Sequence, residues 1–145
     1  MISDTVWNEA LSRAKAVCDA HGRELLDPLL QDLSLREDPY WMLPAGAASS
    51  NRMGLGEVSN EETGQVLLVL MLPVGRMSTP DALQNCQSMS DAFLQHNQPG
   101  DRPWPSGLFY DGQDFIPPDL DRPGNWYTMT LMVSYRFQTV RPRIT

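Results

Sequence analysis

Between Trp126 and Phe137 the odd positions carry Tyr127, Met129, Leu131, Val133, Tyr135 and Phe137, while the even ones include Thr128, Thr130, Ser134 and Arg136. A period of two sends successive side chains to opposite faces, so this stretch predicts a long strand with one buried face. Trp126 and Met132 add apolar groups to the second face. A different pattern occupies Val66 to Leu72, an unbroken apolar run. It predicts a strand in mid-sheet with both faces covered. Its valines, the preceding Gly64 and the following Pro73 favour strand over helix. After Pro73-Val74-Gly75 the period changes. Ala82, Cys86, Met89 and Phe93 recur at helical spacing behind Thr79 as cap and Pro80 as first helical residue, predicting a helix from Thr79 to His96. The rest of the chain is organised around this strand–turn–helix unit, Gly64 to His96.

An earlier helix follows from Val6, Trp7, Ala10, Leu11, Ala14, Val17 and Cys18, with caps available among Ser3, Asp4 and Thr5 and with Gly22 as terminator. Leu25 to Leu33 also repeats at helical spacing, but Pro28 opposes a helix through it, so a short second helix is expected from Asp27-Pro28. Pro39 to Pro44, containing Tyr40 and Trp41, reads as a segment closing one edge of the core. Ala45 to Asn51 reads as a loop, Arg52 to Val58 as a glycine-weakened strand, and Ser59 to Gly64 as the connection back into the central strand. Residues 97–124 are dense in proline and glycine and predict a long surface arm, within which Leu108-Phe109-Tyr110 and Phe115-Ile116 can be extended. Gln138 to Thr145 reads as an exposed, flexible basic tail. Together these elements predict one α+β domain over 1–145. Its sheet is mixed or mostly antiparallel, with helices on one face and a long proline-rich loop arm.

Composition narrows the partners. The chain has 145 residues and a formal net charge of −7, with a pI near 4.6. That charge argues against a role that grips nucleic acid. Cys18 and Cys86 both fall on predicted helix faces and read as reduced core thiols. No basic region with an apolar run and cleavage site is evident, and the longest apolar run is too short to span a membrane as a helix.

The residues offer no catalytic constellation. Asp19 and His21 lie too close along one helix for a normal dyad, and no serine sits in a Gly-x-Ser-x-Gly elbow. Gly54-Leu55-Gly56-Glu57 lacks the remaining glycine of a dinucleotide fingerprint and opens no helix. Asp111, Asp114, Asp119 and Asp121 lack the order of a calcium loop and read as solvated acids. His21 reads as a capping or surface group rather than a metal ligand. No enzyme activity, cofactor or metal is expected. Subunit association is what edge strands, a proline-rich arm and a basic tail suit. The expected contact residues are Arg52, Met53, Glu57, Trp104, Phe109, Tyr110, Phe115, Met132, Arg141 and Arg143.

The arrangement resembles the tail terminator or tail-completion proteins in the neck of long-tailed bacteriophages. The resemblance lies in the N-terminal helix ending near Gly22 and in the strand Gly64 to Leu72 followed by Pro73-Val74-Gly75. It is completed by the helix Thr79 to His96, with Ala82, Cys86, Met89 and Phe93, and by the closing strand Trp126 to Phe137. The segment Arg23 to Ala45 is longer than compact members of that family have. The resemblance implies a virion protein of the tail or neck, made in the host cytoplasm. It would be a homo-oligomeric, hexameric ring bound to the tail tube protein and to a head-completion or connector protein. DNA would pass through the lumen without specific binding. Two alternatives differ in partner or class: another neck or head–tail connector, and a small cytosolic adaptor or chaperone-like protein binding peptides through Tyr40, Trp41 and Trp104. Rings favour the terminator and connector readings, and a monomer with an open aromatic groove favours the adaptor.

Overall fold

The computed structural model describes residues 2–27, 38–46, 48–53, 57–94, 103–119 and 126–142; of 51–53, 57–59 and 140–142 it describes the backbone alone. The elements are α1 (Asp4–Ala20), β1 (Glu24–Leu26), β2 (Tyr40–Met42), β3 (Ala48–Met53), β4 (Glu57–Pro73), α2 (Thr79–Asp91), β5 (Leu108–Ile116) and β6 (Trp126–Pro142). The six strands form one sheet in the order β1-β2-β4-β6-β5, with β3 also on β4. Among the described residues only β1 and β2 are parallel, and the other pairings are antiparallel. The fold is α+β with a mixed sheet.

Strands β4 and β6 pair along their whole length, from Glu57 opposite Pro142 to Pro73 opposite Trp126. In the half nearer Pro73 the two faces differ. Val66, Leu68, Leu70 and Leu72 are buried, as are Met129, Leu131, Val133 and Tyr135 across from them. Both helices lie on this face, bringing Val6, Ala10, Ala14 and Cys18 from α1 and Ala82, Cys86 and Met89 from α2 into the same core. Each fully buried aliphatic side chain there contributes about 1.5–3 kcal/mol. Leu67, Val69 and Met71 on the opposite face are half-buried. The unbroken apolar run therefore marks a central strand whose two faces are unequally covered, rather than one sealed on both sides.

The helix ends follow from local chemistry. Ser3 caps α1, its hydroxyl accepting from Val6 N. Gly22, at φ +67°, closes it in a left-handed turn: Gly22 N–H reaches Asp19 O and Arg23 N–H reaches Cys18 O. Ser78, one residue before the expected Thr79, caps α2, so Pro80 falls in the second helical position. The helix ends at Asp91 rather than His96, and His96 lies outside the described residues.

Several other boundaries are corrected. The segment read as a loop at Ala45 to Asn51 contains the start of β3, and Ser59 to Gly64 is no connection but the first half of β4. Small and polar residues there gave no periodic signal, because the pairing rests on neighbouring strands and not on a buried apolar face. Within the expected arm, Leu108–Ile116 is one strand with a bulge between Tyr110 and Gly112. The expected flexible tail is strand as far as Pro142. Glu24–Leu26 is a strand, while the helix expected from Asp27-Pro28 lies outside the described residues.

Candidate interaction surface

The end of the sheet away from α2 is a polar three-stranded ribbon. There β4 from Glu57 to Gly64 is flanked by β3 and by β6 from Tyr135 to Pro142. At about 3.3 Å per residue this half of β4 spans roughly 25 Å. Among the described residues its cross-strand contacts include two polar pairs: Ser49 Oγ and Thr63 Oγ1 lie 3.3 Å apart, and Gln138 Nε2 donates to Glu61 Oε2 at 3.0 Å. The register gathers four of the expected contact residues at the ribbon's far end. Arg52 is opposite Asn60, Met53 opposite Ser59, Glu57 opposite Pro142, and Arg141 opposite Val58. Arg143 lies outside the described residues.

The aromatic candidates are placed differently. Tyr110 is buried, stacked edge-on to Phe93 at 5.0 Å and to Trp104 at 5.8 Å, so its ring belongs to the core rather than to a surface. Trp104 is half-buried, and its indole N–H donates to Phe93 O. Phe109 stays exposed under the Arg136 guanidinium, 5.1 Å from its ring centre, while Arg136 also grips both oxygens of Asp111. Phe115 is exposed opposite Leu131; Met132 is half-buried on the other face, opposite Asp114. Tyr40 and Trp41 are buried in β2, which takes them away from the peptide groove that the adaptor alternative needs.

The residue that sequence reading passed over is Arg13. It is only 2% exposed although it sits on the apolar face of α1 beside Ala10 and Ala14. Its guanidinium pairs with Glu9 at 2.6 Å and donates to Ala92 O at 3.0 Å and Pro103 O at 2.8 Å, with Tyr110 below it. The end of α2 has no glycine terminator. Arg13, Trp104 and Gln113 instead donate to the carbonyls of Ala92, Phe93 and Ser90. A basic side chain at a helix C-terminus is also favoured by the dipole. The clue in sequence is a cation inside a helical apolar stripe, followed by a distant helix lacking a C-terminal glycine.

At the base of the ribbon, Glu62 is buried and accepts from Tyr135 Oη at 2.6 Å, Ser3 N at 3.2 Å and Ser3 Oγ at 3.3 Å, all at Oε2. Burial, then the hydrogen bond to Glu62 and its charge, push the Tyr135 hydroxyl well above its ordinary value of 10.0. The group therefore holds its proton and ties the start of α1 to the ribbon. Cys18 and Cys86 are free thiols, each pushed up to about 11 by burial, with Asp19 adding to the effect at Cys18. Thiols so raised are poor nucleophiles near neutral pH. Among the described residues no three His, Cys, Asp or Glu side chains converge as a metal cluster. These arrangements tie elements together and present a ribbon. In comparison with known proteins, the chain matches no family model and no curated sequence.

Proposed function

We propose that this is a non-enzymatic structural subunit of a bacteriophage tail. It is one copy of a hexameric ring that caps the head-proximal end of the tail tube, stops tube polymerisation and offers the surface on which head-completion proteins dock. The observation that carries this reading is the β3–β4–β6 ribbon. It continues the central strands beyond the helix-covered core, and among its described side chains Ser49, Ser50, Asn60, Glu61, Glu62, Thr63, Gln138 and Thr139 are polar. A ribbon this polar gains little within one chain, whereas in a closed ring it reaches across to the next subunit or down to the tube. The buried latches at Glu62 and Arg13 support the same reading, because they hold ribbon and core in a fixed relation, as repeated docking requires.

Light scattering followed by negative-stain imaging, with and without purified tail tubes, tests it. Six-membered rings with a central hole, alone or on tube ends, are expected; a chain that stays monomeric and leaves tubes uncapped overturns the proposal. In such a ring the acidic balance of the chain repels DNA phosphates and eases passage. Unchanged DNA transit through particles with neutralised lumen acids would remove that part of the account.

A further inference from the structure

We infer that the cleft between α2 and the turn after α1 binds a small zwitterion, a free amino acid carrying both a carboxylate and an ammonium. Its walls come from two local patterns. Asp81, Gln84, Asn85 and Ser88 recur at helical spacing, so one face of α2 brings a carboxylate, two amides and a hydroxyl to the cleft. The left-handed turn at Gly22 ends α1 and leaves His21 and Arg23 on the other wall. The cleft measures about 270 Å³. Sites for drug-sized ligands occupy roughly 300–1,000 Å³, so this one suits a guest of few atoms.

Charge defines the guest. Arg23 is half-buried, its Nε is buried without a hydrogen-bond partner, and its guanidinium forms no ion pair among the described residues. Asp81 is exposed on the same cleft, and its carboxylate likewise has no partner among the described residues. Arg76 also lines the cleft but has an interaction of its own within the chain, so it does not enter this balance. One cation and one anion thus share a small space without pairing. A half-buried charge left unpaired is costly, and a guanidinium is best satisfied by a carboxylate held through two parallel hydrogen bonds. A guest with a carboxylate alone, or a phosphate, meets Asp81 as a repelling charge. A guest with an ammonium beside its carboxylate pairs with both walls. Asn85 Nδ2 is committed to Asp81 O at 2.8 Å and to Met77 Sδ at 4.0 Å, which leaves the amide oxygen as an acceptor for that ammonium. The net charge of −7 opposes a polyanion in the same place.

Titration calorimetry of the full chain tests this, with L-glutamine as the probe because its uncharged polar side chain suits the amide and hydroxyl wall. Glutamine is expected to bind saturably. N-acetyl-L-glutamine, which lacks the ammonium, and the α-amide of glutamine, which lacks the carboxylate, should each bind at least about tenfold more weakly. Arg23→Gln should abolish the preference over the α-amide, and Asp81→Asn the preference over the N-acetyl compound. Arg23→Lys, which keeps the charge, should retain the first preference, and circular dichroism checks that each variant is folded. No saturable binding of glutamine at millimolar concentration, equal binding of the three compounds, or preferences that survive both substitutions overturn the inference. So does inorganic phosphate binding more tightly than glutamine, since the cleft would then be a simple anion site. Both walls belong to one chain, so these outcomes leave the ring reading untouched, and a chain that never forms rings leaves this site standing.

Discussion

Two halves of the same strand behave as different materials. From Val66 to Leu72, β4 alternates between residues sealed under the helices and residues half-covered on the other face. From Glu57 to Gly64 the same strand keeps β6 on one side but has β3 in place of β2 on the other, and its described contacts are hydroxyls, amides and carboxylates. Pairing with β6 is unbroken through both, so what most separates them is the side chains and the helices that cover one half. One half holds the domain together, and the other is held by it. Glu62 and Tyr135 mark the seam, where a carboxylate of the ribbon is buried against Ser3, the cap of α1.

Substitutions on either side of the seam should separate sharply. Leu68→Ala removes a fully buried side chain from the helix-covered half. It should cost about 3–4 kcal/mol in urea unfolding, by lost transfer and by the cavity left behind. A loss near zero would mean that the helices do not seal this face. Arg13→Ala should come next, at about 3 kcal/mol, because it strands Glu9 and two carbonyls that the guanidinium satisfies. Its sharper readout is proteolysis. Cleavage near Pro103 should become faster as the lead into β5 loses its anchor, and an unchanged cleavage pattern would count against that role.

Gly107 sits at φ +84°, and a Cβ there would stand 2.5 Å from Gln138 O. Gly107→Ala should therefore cost about 2 kcal/mol, through strain and through the disturbed bond from Gln138 N–H to Gly107 O at 2.8 Å. At the seam, Tyr135→Phe should cost about 1.5 kcal/mol by removing a hydrogen bond to a carboxylate. It should also change the alkaline limb. The folded state holds the Tyr135 proton above the ordinary value of 10.0, so its stabilising effect is complete below pH 10 and is lost as pH rises beyond it. The unaltered protein should thus lose stability above pH 10 more steeply than Tyr135→Phe. Parallel pH curves would refute the assignment. The smallest effect belongs to the ribbon: Asn60→Ala, at an exposed position, should move the unfolding midpoint by less than about 0.5 kcal/mol while remaining free to alter ring formation. A large loss of stability there would erase the contrast between the two halves.

Sequence pattern alone was enough wherever an apolar face repeats. The period of two in β6, the apolar stripe of α1 with its Gly22 stop, and the stripe of α2 all describe burial by one contiguous core, while the choice of Ser3 as cap among Ser3, Asp4 and Thr5 came from the structure. Hydrophobic burial is non-directional and grows with area, so it leaves a periodic trace in the order of residues. The ribbon left no such trace. Ser59 to Gly64 and Ala48 to Asn51 look like connections because they are small or polar, and they become strands only when β4, β3 and β6 bond to one another. The same holds for Gln138 to Pro142, which reads as a tail until its partner is in place.

Directional contacts across long separations were decided by the tertiary structure alone. Arg13 meets Ala92 and Pro103, Glu62 meets Ser3 and Tyr135, and Arg23 joins Arg76 at one cleft, although nothing in their local spacing announces it. A hydrogen bond or ion pair depends on the approach of two specific groups, and chain order says little about which distant groups approach. The sequence by itself therefore determined the core, the helices and the α+β class. The sheet order and the polar ribbon came from pairing that exists only once the chain is folded.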